Sequence, residues 1–222
     1  MTLRMRCDDP AERASGLTVA IGAVRRGELV VLPAETAYAV ATAAFSSRGL
    51  ERLRTAKGRG RDLPVPVMVG WPRTVDGLAH GLDETARALL EAFWPGPLTV
   101  VVRAQPSLAW DLGEAGGTVS LRMPLHPVAL ELLRETGPLA VTTANRAGLP
   151  APATADDAEE QLGGDLAVVL DAGPCPPGPP STVLDLTGEV PRVLREGALA
   201  LAALREVVPG VLGSGEAEHA PA

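Results

Sequence analysis

The sequence predicts an α/β protein with a twisted mixed β-sheet flanked by helices. Segments whose apolar residues recur at helical spacing alternate with short apolar runs typical of buried strands. Toward the end of the chain the gaps shrink to hairpin length, which favours antiparallel pairing there. Nothing in the middle resembles a linker, and 222 residues fit one domain. We therefore expect a single domain.

The elements of the first half follow from caps, periodicity and breakers. Asp8, Asp9 and Pro10 are suited to begin a helix that Gly27 ends, and Ser46 or Ser47 can cap a second helix. The segment from Pro95 to Pro97 ends a third helix. The predicted elements are helix 11–26, strands 28–32 and 38–44, helix 48–56, strand 65–69 and helix 83–93.

The second half contains more strands. Leu98–Arg103 is an apolar run that predicts a strand. Thr154 can cap a helix that begins at residue 155. The predicted elements are strands 98–103 and 119–123, helix 127–136, strand 139–142, helix 155–162, strands 168–171, 182–186 and 193–195, and helix 198–208. We expect residues 1–13 to be a lead-in, 14–208 the folded domain, and 209–222 a disordered tail, since the tail is small, polar and acidic.

Composition excludes several classes of protein. A net charge of −7 argues against coating a nucleic-acid backbone, and 3% aromatic residues argue against a base-stacking platform. Cys7 and Cys175 lie far apart and the three histidines are scattered, so neither a disulfide framework nor a structural zinc site is expected. The N-terminus lacks the apolar stretch of a signal peptide. We expect a cytoplasmic protein that does not enter a membrane.

The best candidate for chemistry is the basic loop KGRGRD at residues 57–62. The chain has no dinucleotide fingerprint, P-loop or nucleophile elbow. Lys57 and Arg59 occupy alternate positions, so in an extended segment both face the same way. An ammonium beside a guanidinium suits a polyphosphate and can stabilise charge on a transferring phosphorus. A solvated turn with surface charges is the ordinary alternative.

Hydroxyl groups and arginines at other strand ends are further candidates. Thr142–Asn145 follows a strand and could hold phosphate oxygens, although the same residue types favour turns and caps. Ser181 and Thr182 follow a Gly/Pro loop and leave the same choice open. Arg122 and Arg195 lie in apolar strands, so each either faces solvent or points at an anion.

Seven segments in this order resemble the YrdC/YciO family, whose best-known members are L-threonylcarbamoyladenylate synthases. The resemblance covers roughly residues 14 to 202 and implies a concave cationic cleft. It also implies a short form without the extra C-terminal domain of longer members. The segments are PAETAYAV (33–40), AKGRGRDLPVPVMV (56–69), FWPGPLTVVV (93–102), VSLRMPLHP (119–127), TTANRAG (142–148), STVLDL (181–186) and VLREGAL (193–199).

The resemblance implies a reaction in which L-threonine, bicarbonate or CO2, and ATP give threonylcarbamoyl-AMP and pyrophosphate. Lys57 and Arg59 would bind the triphosphate, and Thr143 and Asn145 would line the ATP and carbamate site. The implied contacts to threonine are Thr36, Arg122, Ser181 and again Thr143, and those to the nucleotide include Thr118 and Arg195. Mg²⁺ is expected with ATP, without a protein ligand that can be named.

The implied product is handed to a partner that modifies adenosine 37 of tRNA, and whether this chain itself contacts tRNA stays open. The sequence also departs from the family pattern near the implied pocket, at Ala34, Ala39, Leu63, Met68, Ala147 and Ala153. These losses of polar groups leave two alternatives: a diverged paralogue that makes another carbamoyl-adenylate, or a nucleotide- or RNA-binding module with little turnover.

Overall fold

The computed structural model describes residues 2–216, and four of the seven α-helices in this range begin after a residue whose side chain caps the helix. Asp9 accepts hydrogen bonds from the backbone of Ala11 and Glu12, and Thr154 and Asp157 form a reciprocal capping box. The helices are α1 Pro10–Arg25, α2 Ser47–Lys57, α3 Val75–Leu78, α4 Glu84–Phe93, α5 Pro127–Thr136, α6 Ala155–Leu162 and α7 Leu201–Val207. Within residues 2–216, no helix is both long and apolar enough to cross a bilayer.

The strands of the described residues form one mixed sheet. They are β1 Leu3–Arg6, β2 Leu29–Pro33, β3 Tyr38–Ala43, β4 Val67–Met68, β5 Leu98–Arg103, β6 Thr118–Arg122, β7 Leu139–Thr143, β8 Leu166–Asp171, β9 Thr182–Asp185 and β10 Arg192–Arg195. Their order is β1-β8-β2-β3-β7-β4-β6-β5-β9-β10. Parallel pairing joins β1 and β2 to β8, β4 to β6 and β5 to β9, and the other neighbours are antiparallel. The predicted fold class is confirmed.

Two apolar cores lie on opposite faces of the sheet. One contains Val24 of α1 and Leu132 of α5, and the other contains Leu53 of α2, Leu89 of α4 and residues of α6 and α7. Strand residues alternate between the two cores, as the pleat requires. Helices α1 and α5 pack near β8, β2 and β3. The same face carries a cleft over β7, β4, β6, β5 and β9.

Both ends of the chain differ from the sequence prediction. The expected lead-in contains β1, an edge strand paired in parallel with β8, and α1 begins within it at Pro10. The first part of the expected disordered tail packs against the domain: Val211 is 1% exposed and Leu212 forms a bridge with Arg192. Apolar residues in these short segments find partners far away in the sequence, which local composition does not reveal. Residues 217–222, including His219, lie outside the described residues.

Smaller differences concern element lengths. The strand expected over 65–69 forms ladder pairs at Val67 and Met68 only, because the amide of Val65 bonds instead to the carbonyl of Leu112. The last helix begins at Leu201 rather than 198, since Ala198 donates its amide to Pro180. A short helical segment over residues 72–78 was not predicted.

Candidate active site

The cleft has a volume of about 680 Å³. Its floor is the exposed face of the sheet, and its walls come from the loops after β2, α2 and β7 and from the Gly/Pro-rich loop before β9. Six residues predicted from the sequence line it: Thr36, Arg59, Arg122, Thr143, Ser181 and Arg195. Among the lining residues, three are arginines and none carries a carboxylate. The cleft is therefore a cationic site lined with hydroxyl groups.

Lys57 lies behind the cleft wall rather than on its surface. It is the last residue of α2, is 3% exposed, and directs its ammonium to three acceptors. Nζ donates to the carbonyl oxygen of Thr143 (2.6 Å), to Oδ1 of Asn145 (2.9 Å) and to the carbonyl oxygen of Asn145. Burial and the nearby Arg59 lower the pKa of Lys57 to about 8. Lys57 thus joins α2 to the loop that follows β7.

Arg59 reaches the cleft because the helix ends in a left-handed glycine. Gly58 caps α2 at φ 63°, a backbone conformation that suits glycine, and the chain then turns toward the sheet. Arg59 Nη1 lies 3.4 Å from the hydroxyl of Thr142. Asp111 holds the neighbouring residues in place, since its carboxylate bonds to the buried Arg54 and to Arg61.

The loop after β7 is organised by Asn145. Its side chain accepts a hydrogen bond from the Thr143 hydroxyl and donates to the carbonyl of Leu149 at 2.6 Å. With Lys57 also bonded to it, the Asn145 amide is fully used inside the protein, and Asn145 is not among the lining residues. Thr143 does line the cleft.

Arg122 is held on two sides at the end of β6. Its Nε donates to the carbonyl of Gly96 at 3.1 Å, and its Nη2 forms an ion pair with Glu35. The side chain is 13% exposed, and burial together with Arg195 lowers the pKa of Arg122 to about 10. At neutral pH it therefore carries its charge into the cleft.

A second cluster of polar side chains lies across the cleft, at the start of β9. The buried Ser181 shares a hydrogen bond with the hydroxyl of Thr99 at 2.8 Å, and Nη2 of Arg195 lies 3.2 Å from the same Ser181 oxygen. Arg195 also donates to the carbonyl of Ser181 at 2.8 Å. Thr36 stands nearby on the loop after β2, against Gly178.

Thr118 does not join the other predicted residues. It begins β6, four positions before Arg122, and its hydroxyl bonds to the carbonyl of Ala115 at 2.7 Å. It shares the strand face of Ser120 and Arg122 but is not among the lining residues. Sequence reasoning missed Glu35, Thr99 and Ser120. Ser120 alternates with apolar neighbours in β6, a period-two signal that could have identified it.

Three of the six departures from the family pattern lie on an apolar side of the cleft, whereas Leu63, Ala147 and Ala153 are not among its lining residues. Ala34, Ala39 and Met68 all line it together with Val141. Glu35 is the non-glycine residue with positive φ among the described residues, so Ala39 does not occupy a backbone conformation reserved for glycine. The methyl group of Ala39 therefore changes the lining of the cleft without straining its backbone.

The chain is similar in sequence and in fold to known proteins. Residues 22–197 match the Sua5/YciO/YrdC family, described as "Telomere recombination". A Mycobacterium tuberculosis (strain H37Rv) protein, provisionally named a threonylcarbamoyl-AMP synthase, is 51% identical over 94% of this chain and 96% of its own. Threonylcarbamoyl-AMP synthase of Bacillus subtilis is 35% identical over 86% of this chain and 54% of its own. Pyrococcus abyssi Sua5 complexed with L-threonine superposes with a TM-score of 0.88 at 31% identity, over 98% of this chain and 65% of that one.

Proposed function

The chain belongs to the Sua5/YciO/YrdC family, and from that premise we propose that it is a threonylcarbamoyl-AMP synthase. It converts L-threonine, bicarbonate or CO2, and ATP into threonylcarbamoyl-AMP and pyrophosphate. In class terms it is a nucleotidyltransferase, because an adenylyl group moves to a carbamate oxygen. The cleft that combines three arginines with threonine and serine hydroxyls, and has no carboxylate among its lining residues, carries this proposal.

The reaction needs positioning and charge neutralisation more than covalent help from the protein. The threonine amine combines with CO2 to give a carbamate, whose oxygen attacks the α-phosphorus of ATP while the bond to the β-phosphate oxygen breaks. Pyrophosphate leaves with the negative charge. Cations fixed in a low-dielectric cleft stabilise that charge without reorganising during the step.

We assign the ligand contacts by which groups face the cleft. Arg59 binds the triphosphate and the leaving pyrophosphate, and Arg195 the nucleotide. Arg122, Thr36 and Ser181 bind the threonine, with Arg122 taking its carboxylate. Thr143 contacts the carbamate, whereas Lys57 and Asn145 act by shaping the loop that presents Thr143. Thr118 is not among the lining residues and its hydroxyl is bonded to Ala115, so we assign it no ligand contact.

Mg²⁺ would enter this cleft bound to the phosphates of ATP rather than to side chains of the protein. Mg²⁺ prefers oxygen ligands and often binds through substrate phosphates together with a carboxylate. The cleft lining has hydroxyls and cations but no carboxylate, and the nearby Glu35 is bonded to Arg122. We therefore assign no protein ligand to the metal. We further propose that the protein works in the cytoplasm and passes its product to a tRNA-modifying transferase.

The deciding experiment is to incubate the protein with ATP, Mg²⁺, bicarbonate and each amino acid in turn. Pyrophosphate and the acyl-adenylate are then measured. We expect turnover with threonine, and we expect Arg59→Ala to reduce kcat/KM at least about 100-fold, the usual scale for loss of one transition-state contact. Arg48→Ala, an exposed arginine at the start of α2, is the matched control. No turnover with any amino acid would refute the proposed activity.

Turnover that favours an amino acid other than threonine would support a changed substrate. The observation that favours this second candidate is the apolar side formed by Ala34, Ala39 and Met68. A hydrophobic pocket discriminates weakly against one added or missing methyl or hydroxyl group, by about 10- to 200-fold. The amino-acid panel therefore has to compare kcat/KM values rather than the mere presence of product.

A further inference from the structure

Glu35 has a backbone conformation that residues other than glycine rarely adopt. Its φ is 71°, in the left-handed region, within the loop that follows β2. Such a conformation persists in a non-glycine residue only where the surrounding contacts compensate for the strain. The contacts of the Glu35 side chain therefore indicate what this conformation is for.

Both carboxylate oxygens of Glu35 are bonded within the protein. Oε2 forms an ion pair with Nη2 of Arg122, and Oε1 accepts a hydrogen bond from the backbone amide of Leu125. The side chain is 19% exposed, and Glu35 is not among the residues that line the cleft. Charge-assisted bonds of this kind are among the strongest that side chains make.

Arg122 is consequently fixed at two points of its guanidinium. Its Nε donates to the carbonyl of Gly96, and its Nη2 forms the ion pair with Glu35. A guanidinium has five N–H donors. Nη1 has no partner in the described part of the protein, and because Arg122 lines the cleft, a ligand there can use this nitrogen.

We propose that Glu35 is a positioning residue that holds Arg122 in place for the carboxylate of the amino-acid substrate. The proposal rests on the assignment of Arg122 to that carboxylate. A competing role, in which Glu35 occupies the place of the substrate carboxylate and leaves when it binds, fits less well. Its departure would leave the Leu125 amide without the bond it makes to Oε1.

Two substitutions separate the carboxylate from the backbone turn. Glu35→Gly accepts the left-handed conformation without strain and removes the side chain. Glu35→Gln keeps the length of the side chain and removes its charge. For both variants we expect the Kd for L-threonine to rise about 10-fold or more, since bonds to charged groups are worth that much. The Kd for ATP should stay within about twofold, and Glu84→Gln, on the exposed first turn of α4, is the matched control.

A double-mutant cycle shows whether Glu35 acts through Arg122. In an Arg122→Ala background, Glu35→Gln should change kcat/KM for threonine by less than about twofold, because the group that it positions is gone. Unfolding midpoints of all variants distinguish a folding defect from a positioning effect. The same loss of kcat/KM in both backgrounds would overturn the proposal.

If Glu35→Gly binds threonine with the Kd of the wild type, the positioning role is overturned. A lower Kd would instead support the competing role, in which Glu35 occupies the place of the substrate carboxylate. These results leave the proposed function intact. If the wild-type protein neither binds nor turns over threonine, the proposed function fails first and the assignment of Arg122 fails with it.

Discussion

Lys57 illustrates how a residue selected for its charge can work through the backbone. Its ammonium has three hydrogens and meets three acceptors, all contributed by Thr143 and Asn145. A lysine that bound the triphosphate directly would have to give up one of these bonds. The structure therefore favours an indirect role, in which Lys57 fixes the loop that presents Thr143 to the cleft.

Lys57→Met should lower both stability and activity. The substitution keeps the aliphatic stem but removes the donor to the carbonyl oxygens of Thr143 and Asn145, which costs about 1–3 kcal/mol for each buried group left unpaired. Oδ1 of Asn145 keeps the hydrogen bond from the Thr143 hydroxyl. We expect a fall of about 3 kcal/mol in the free energy of unfolding, measured in urea, and a reduction of kcat/KM by at least about 10-fold. Unchanged stability with lost turnover would instead indicate direct contact with phosphate.

The pKa of Lys57 makes the activity sensitive to alkaline pH. Since burial and Arg59 lower this pKa to about 8, the residue loses a proton as pH rises through 8, well below the usual range of lysine. One hydrogen bond to the Thr143–Asn145 loop is then lost, so kcat/KM should fall above about pH 8. Deprotonation of the threonine amine acts in the opposite direction, so the wild type has to be compared with Lys57→Arg. Arginine keeps its proton over this pH range, so kcat/KM of the variant should not show the fall that Lys57 causes. The same fall of kcat/KM above pH 8 in both proteins would contradict this explanation.

At the scale of elements, the Gly/Pro-rich loop from Gly173 to Pro180 packs against Thr36 and limits the rotamer of its side chain. A Cβ at Gly178 would lie 2.8 Å from Cγ2 of Thr36, too close for van der Waals contact. Thr36 can relieve this contact by rotating about χ1, which moves its hydroxyl away from its place in the cleft. The loop thus sets the orientation of a proposed threonine contact.

Gly178→Ala should therefore raise KM for threonine about fivefold, equivalent to about 1 kcal/mol, with little change in stability. Gly163→Ala is the matched control, since Gly163 has φ −49° and nothing lies within 4 Å of its added Cβ. Steady-state kinetics and thermal unfolding of both variants test the prediction. An equal KM for the two variants would show that the loop does not orient Thr36.

The elements that sequence patterns predicted well are those whose bounds have local sequence signals. Helix α5 and strand β5 have the predicted bounds, because a proline start, a glycine stop or an unbroken apolar run defines each of them. Strand β1 was missed because its four residues are largely exposed and its partner β8 lies more than 150 residues away along the chain. Such pairing depends on the whole sheet and leaves no local signal.

At the scale of the whole molecule, the cleft exists because the sheet brings distant motifs together. Met68 on β4 is in register with Arg122 on β6, and Arg122 with Thr99 on β5, which pairs with Val183 on β9. The family resemblance predicted that Arg59, Arg122 and Ser181 belong to one site, and all three line the cleft, whereas residue type and spacing alone had left each of them open. They could not predict Glu35 as the partner of Arg122, because that contact depends on a left-handed turn and on strand register.

Residues 209–216 pack beside the edge strand β10 and against the larger core, so we expect them to contribute measurably to the free energy of unfolding. Val211 is 1% exposed in the larger core, and Leu212 exchanges backbone hydrogen bonds with Pro191 and Val193 beside the edge strand β10. Glu216 adds an ion pair with Arg205 of α7. Burial of one valine side chain alone contributes about 1.5–3 kcal/mol.

A chain that ends at residue 208 should consequently be less stable than one that ends at residue 216, by at least about 2 kcal/mol. Removing the segment also uncovers the backbone of β10, and exposed strand edges favour aggregation, so the shorter chain should lose solubility on heating. Urea unfolding and light scattering of the two chains provide the comparison. None of residues 209–216 lines the cleft, so kcat/KM below the unfolding temperature should agree within about twofold. Equal urea midpoints would mean that the contacts of Val211 and Leu212 do not contribute to folding.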